Sequence, residues 1–174
     1  MTPYRTSTPA TTESWTVGPQ TGVSVIRETG LLSPRTTPAF GGFVSYRLFN
    51  WLDADASIAG YLQEPSVRSE SDGGKMVQGL VGAKIGRRRD GVGTFFKLRV
   101  GANSYGGAVR ILDQTTRAKT LTRAATSVID LGGVLELAVG RRLLWRVDAA
   151  DLFPLRHPTD NDSIQISSGL GWRF

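Results

Sequence analysis

Hydrophobic side chains recur with period two through this sequence, in eight separate stretches, and nowhere does the pattern give way to a helical one. Residues 163–174 (SIQISSGLGWRF) show it most plainly. Ile164, Ile166, Leu170, Trp172 and Phe174 share one parity, interrupted only by Ser168, while Gln165, Ser167, Gly169, Gly171 and Arg173 hold the other. Successive side chains of a strand point to opposite faces, so this stretch is a strand with one apolar and one polar face. With an aromatic as its last residue, it is expected to be pinned into a sheet and not left to fray.

The other seven stretches follow in order. Residues 1–13 are rich in Thr, Ser and Pro and read as a flexible leader; residues 14–174 form the folded domain. The first strand, from residue 14 to about 28, sets Trp15, Val17, Thr21, Val23 and Val25 against Thr16, Gly18, Gln20, Gly22 and Ser24. Pro19 cannot donate to a ladder, so regular pairing is expected only from Gln20. Further strands are expected over residues 38–48, 52–62, 75–87, 92–104, 126–139 and 143–152. Links between them alternate long and short, and the segment Arg88, Arg89, Asp90, Gly91 ends in a strong hairpin signal. Without helical crossovers such strands make an antiparallel up-and-down sheet, and eight of them close into a barrel that removes exposed edges.

Composition narrows the partners. The 21 Lys and Arg against 15 Asp and Glu leave a charge of +6, which favours acidic partners. The basic residues are nevertheless dispersed, and no nucleic-acid-binding signature occurs. There is no cysteine, which excludes disulfides, thiolate metal sites and a Cys nucleophile. No apolar run approaches the roughly 18 residues of a membrane helix, and the opening residues lack the apolar core of a secretory signal. A cytoplasmic chain and a mature chain whose signal has been removed both fit that observation.

Alternation does not by itself say which solvent the apolar face meets; three features do. The polar face collects Arg47, Lys84, Lys97, Arg99, Arg146 and Arg173 against Asp53, Asp55, Asp130, Glu136 and Asp148. Near-neutral pairing is what a closed polar lumen requires, because an unpaired charge removed from water is costly. The same face carries Gly41, Gly82, Gly86, Gly101, Gly132, Gly169 and Gly171, read as making room for long Lys and Arg side chains in a narrow interior. Aromatics gather near the short-turn ends, namely Phe49, Trp51, Trp145, Trp172 and Phe174, as an interfacial girdle would. The apolar face is therefore expected to meet lipid.

The segments SSGLGWRF, FGGFVSYRLFNWLDADASIAGYL and GLVGAKIGRRRDGVGTFFKLRVG resemble the small eight-stranded outer-membrane barrel proteins of the OmpA/OmpX type. In that family a strand-turn-strand of the form GGxxxYxLxxWLxxxxxxGY recurs. The resemblance covers about residues 15–174 and specifies a fold more than an activity. It implies a bacterial outer-membrane location in a Gram-negative cell envelope and an N-terminal signal, presumed removed. It also implies that Ile166, Leu170, Trp172 and Phe174 form the row read by the barrel-assembly machinery.

Sites that invite chemistry have simpler explanations. His157, the only histidine, lies near Asp160, Asp162 and Ser163 in a loop-like, Pro-flanked stretch, whereas lipid-hydrolysing barrels place such residues on strands. The pairs Asp53 with Asp55 and Asp130 with Glu136 are better read as lumen ion-pair partners than as a catalytic or metal site. No phosphate loop, dinucleotide fingerprint or metal-ligand spacing occurs, so no cofactor is expected. Arg110, Arg117, Lys119 and Arg123 in the longest loop, with Arg35 and Arg68 on the same side, are candidates for contact with the phosphates of lipopolysaccharide, with a simply solvated charged loop as the other reading. The reading is thus an all-β, eight-stranded antiparallel up-and-down transmembrane β-barrel with a polar, salt-bridged lumen. It is expected to be monomeric, without enzymatic activity or a wide pore, and to serve a structural or loop-mediated binding role in envelope integrity or adhesion. A soluble barrel binding a small apolar ligand is the competing reading, and a lipid-modifying barrel enzyme a third.

Overall fold

The computed structural model describes residues 15–26, 35–62, 75–106, 124–155 and 163–174. They form eight strands: β1 (Trp15–Ile26), β2 (Arg35–Phe49), β3 (Leu52–Tyr61), β4 (Lys75–Arg89), β5 (Val92–Gly106), β6 (Ala124–Ala138), β7 (Leu143–Pro154) and β8 (Ser163–Arg173). Each pairs antiparallel with its neighbour in sequence, and β8 returns to β1 to close the barrel. The expected leader, residues 1–13, lies outside the described residues.

Several strands outrun their periodic cores. β2, β4, β5 and β6 each have 15 residues, because pairing continues past the last apolar side chain wherever backbone partners persist. Pro19 does not delay β1, which pairs from Trp15↔Tyr46 onward. In an antiparallel ladder successive N–H groups point to alternate neighbours, so one proline removes a single bond. The registered pairs with β8 accordingly skip Gly18 and Pro19 and resume at Gln20↔Gly169. At the β4–β5 hairpin Asp90 (φ 51°) and Gly91 (φ 83°) are both left-handed, the type I′ geometry that an Asp-Gly pair favours.

Burial follows parity in every strand and inverts the usual globular order. Phe40 (55%), Ile58 (60%), Val81 (59%), Leu98 (50%) and Leu170 (55%) are exposed on the outside. The largest wholly buried side chains are Arg146, Lys84 and Lys97. Toward the long-loop end the interior is less polar. There Tyr61 and Met76 pack with Ala39 and Ala59, and Leu80 packs with Val128 and Leu152. A short ladder crosses that layer, with Tyr61 Oη donating to Gln78 (3.2 Å) and Gln78 Nε2 to Asn103 (3.1 Å).

The inward glycines do not serve the purpose expected of them. A Cβ on Gly82 would run into the backbone at Leu98 and Arg99, and the same holds at Gly41, Gly101 and Gly132 against their neighbouring strands. These glycines permit the close strand approach of a narrow barrel. At Gly169 and Gly171 an added Cβ would first meet β1, the Pro19 carbonyl at 2.5 Å and the Thr16 side chain at 2.7 Å, with the Phe43 ring next at 3.1 Å and 3.0 Å. Neither set makes room for lysine or arginine.

Candidate functional site

The lumen contains two ion clusters, each with equal numbers of opposite charges. Nearer the short turns, Lys84 and Arg88 of β4 meet Asp53 of β3 and Glu136 of β6. Arg88 Nη1 donates to Asp53 Oδ1 (3.2 Å), and its Nε and Nη2 donate to Glu136 Oε2 (3.1 and 2.9 Å). Lys84 contacts Asp53 at 3.3 Å and pairs directly with Glu136. Both cations also lie against the Phe95 ring, Lys84 Nζ at 4.9 Å and Arg88 Cζ at 4.5 Å from its centre.

The second cluster fills the barrel's middle with Lys97, Arg99 and Arg146 against Asp55, Asp130 and Asp148. Arg146 grips Asp55 with both terminal nitrogens (2.7 and 2.9 Å) and reaches Asp148 at 2.9 Å. Arg99 bridges Asp55 (3.1 Å) and Asp130 (2.9 Å), and Lys97 joins Asp130 (3.0 Å) to Asp148. Ser45 donates to Asp55 Oδ1 at 2.5 Å and Ser57 accepts from Arg99 at 3.0 Å, so the charges are held by hydroxyls as well. Removing two charges from water is repaid only with such geometry and additional hydrogen bonds. The arrangement is a set of crossbraces between walls. Each carboxylate is engaged by cations, and none of these residues is a nucleophile free to react.

Three members differ from the network read in the sequence. Arg88 belongs to it, although its place beside the Asp-Gly turn assigned it to the link; β4 runs on to Arg89, and Arg88 has the parity of Lys84 and Gly86, the signal that would have found it. Conversely, Arg47 and Arg173 face the lumen at its short-turn mouth, yet make no ion pair among the described residues. Asp53 stands opposite Arg47 in the β2–β3 register, but its oxygens are engaged by Lys84 and Arg88.

The cavity found among the described residues is small. A cavity of about 30 Å³ lies beside β1 and β8, bordered by Gln20, Ser57, Tyr61, Gln78, Gln165 and Ser167. That suits one or two ordered waters and is far below the several hundred Å³ of a small-molecule pocket.

The short-turn rim is aromatic. Trp15, Phe49, Trp51, Trp145, Trp172 and Phe174 are all exposed there, with Phe49 and Trp51 stacked at 5.7 Å and Trp15 tilted against Tyr46 at 4.6 Å. Ser168, the polar interruption in the apolar row of β8, accepts a hydrogen bond from Trp145 Nε1 at 2.8 Å. It gives that indole N–H a partner on an apolar surface. Ile166, Leu170, Trp172 and Phe174 line the outside of β8 and are exposed. Arg110, Arg117, Lys119 and Arg123 lie outside the described residues, as do His157, Asp160, Asp162 and Arg68; Ser163, the first residue of β8, is buried.

No protein-family model and no curated protein sequence matches the chain. Solved structures match over nearly the whole length. Neisserial surface protein A (NspA) aligns with a TM-score of 0.65 at 13% identity, covering 92% of this chain and 97% of that one. Ail, the attachment invasion locus protein of Yersinia pestis, solved with the heparin analogue sucrose octasulfate, gives 0.62 at 13% identity, covering 92% and 98%. The N-terminal β-barrel domain of Pseudomonas aeruginosa OprF gives 0.54 at 11% identity, covering 91% and 97%. At such identities the likeness is one of fold, and the fold is that of the small eight-stranded outer-membrane barrels.

Proposed function

We propose that this protein is an integral barrel of the bacterial outer membrane with a structural or loop-mediated binding role and no catalytic one. The observation that carries the reading is the inverted burial, in which ten paired charges occupy the interior and an apolar belt covers the outside. A belt of that size in water would be a large aggregation liability, whereas in a bilayer it faces the solvent it suits. The aromatic rim marks the interface with the headgroups, and the short turns face the periplasm.

The interior weighs against a soluble barrel that carries an apolar ligand, since ion pairs fill its middle and the cavity beside β1 and β8 suits one or two waters. Binding is assigned to the long links. Arg110, Arg117, Lys119 and Arg123 are the residues proposed to meet lipopolysaccharide phosphates or another polyanion, a reading supported by the crystallisation of Ail with a heparin analogue. The exposed row Ile166, Leu170, Trp172 and Phe174 is proposed as the surface offered to the assembly machinery. In the test, purified protein should require detergent to stay folded and should migrate differently on a gel before and after boiling. A monodisperse, folded monomer in plain buffer would overturn the membrane reading. Hydrolysis of phospholipid esters by the purified barrel, lost in His157→Ala, would restore the enzymatic one.

A further inference from the structure

The two clusters of the lumen are each neutral, so among the described residues Arg47 and Arg173 are surplus cations in an otherwise balanced interior. Both belong to inward-facing rows, and they flank the start of β1. Thr16 stands opposite Ser45 on one side and Arg173 on the other, and Arg47 lies two residues beyond Ser45 toward the turn. Arg47 has two like-charged neighbours, Arg88 and Arg173, and two carboxylates near it, Asp53 and Glu136, but Lys84 and Arg88 already engage both carboxylates. The Nε of Arg47 is shielded from solvent and has no acceptor among the described residues. Beside Arg173, whose N–H donates to the Arg142 carbonyl at 2.8 Å, the exposed Arg142 adds a further positive charge to the rim.

We propose that Arg47 and Arg173 form an oxyanion site at the short-turn mouth that takes a phosphate group. Planar guanidinium groups match phosphate oxygens two at a time, and a surplus of two positive charges matches a group that carries between one and two negative charges near neutral pH. The phosphate comes either from solution or from the head group of a phospholipid in the adjoining leaflet. The second source is within reach because exposed Trp15, Phe49, Trp51 and Trp172 place headgroups around the same mouth. Only this second source rests on the membrane reading above.

The test uses the barrel folded in an uncharged, phosphate-free maltoside detergent, with the arginine Nε–Hε resonances followed by NMR during titration with inorganic phosphate, against chloride at matched ionic strength. Arg47 and Arg173 should shift saturably with phosphate and not with chloride. Arg47→Gln or Arg173→Gln should each weaken binding by about tenfold or more, as expected for loss of a charge-assisted hydrogen bond, while Arg141→Gln in the exposed β6–β7 turn leaves it unchanged. Arg47→Lys and Arg173→Lys keep charge and fold but lose the planar fork; undiminished affinity in both would overturn the site in favour of diffuse attraction. The absence of a saturable shift in the parent would overturn it as well. In phosphatidylcholine nanodiscs free of inorganic phosphate, resonances already at their phosphate-bound positions identify the lipid head group as occupant. Resonances that titrate as in detergent identify free phosphate.

Discussion

Arg146 on β7 and Asp55 on β3 form a bidentate ion pair, with Nη1 at 2.7 Å from Oδ1 and Nη2 at 2.9 Å from Oδ2, between residues 91 positions apart in the chain. β3 and β7 stand four strands apart in the closed order of eight, so the pair spans the barrel between opposite walls. Replacing Arg146 with Met leaves Asp55 and Asp148 short of a cation, and a broken buried pair costs about 3–5 kcal/mol. Urea unfolding from lipid vesicles should show a loss of that order for Arg146→Met and a smaller one for the Asp55→Asn, Arg146→Met double variant. Strictly additive losses would mean that the two residues are not coupled.

The outer face gives a second expectation. Leu98 lies midway along β5 and points outward. An arginine at the midplane of a membrane barrel costs about 2–4 kcal/mol, and Leu98→Arg should show that penalty in the same vesicle assay. A change of a few tenths only would place this face in water.

Glycine positions separate by what lies beyond them. Gly82→Ala forces a Cβ into the backbone of β5 at Leu98 and Arg99, and overpacking of that kind costs about 1–3 kcal/mol. Gly79, on the outside of the same strand, has nothing within 4 Å of an added Cβ, so Gly79→Ala should be neutral or slightly stabilising. Equal effects of the two substitutions on the unfolding midpoint would contradict the close approach of β4 and β5.

Phe43 packs against Gly169 and Gly171 and carries Arg146 over its ring, with Cζ 4.6 Å from the centre. Phe43→Ala should lower stability by about 3–5 kcal/mol, the range for emptying a packed aromatic site. Phe43→Leu, which refills part of the volume, should lose clearly less. Unfolding curves that place both variants at the parent midpoint would show the ring to be dispensable.

Much of the fold was legible in the residues. Period-two alternation separated the two faces of every strand, and the spacing of links showed that strands pair with their neighbours in sequence. The Asp90–Gly91 pair located a hairpin to the residue. These are local signals, carried by side-chain parity and by the few residues that tolerate left-handed φ. The ends of strands were less legible, as at Arg35 and Ala124, because pairing there depends on a partner strand and not on the segment's own pattern.

The residue pattern already put Arg146, Lys97 and Asp55 on one face and Leu98 and Val81 on the other, since parity is a property of each strand alone. It also determined that opposite charges would be nearly matched on that face. Which charge meets which depends on the closed barrel. Barrel closure sets β3 across from β7 and fixes the register between strands far apart in the chain, so it selects Asp55 for Arg146, brings Arg88 to Asp53 and Glu136, and leaves Arg47 and Arg173 without an ion pair among the described residues. Pairing of charges is a matter of a few ångströms in three dimensions, and no local period in the sequence encodes that distance.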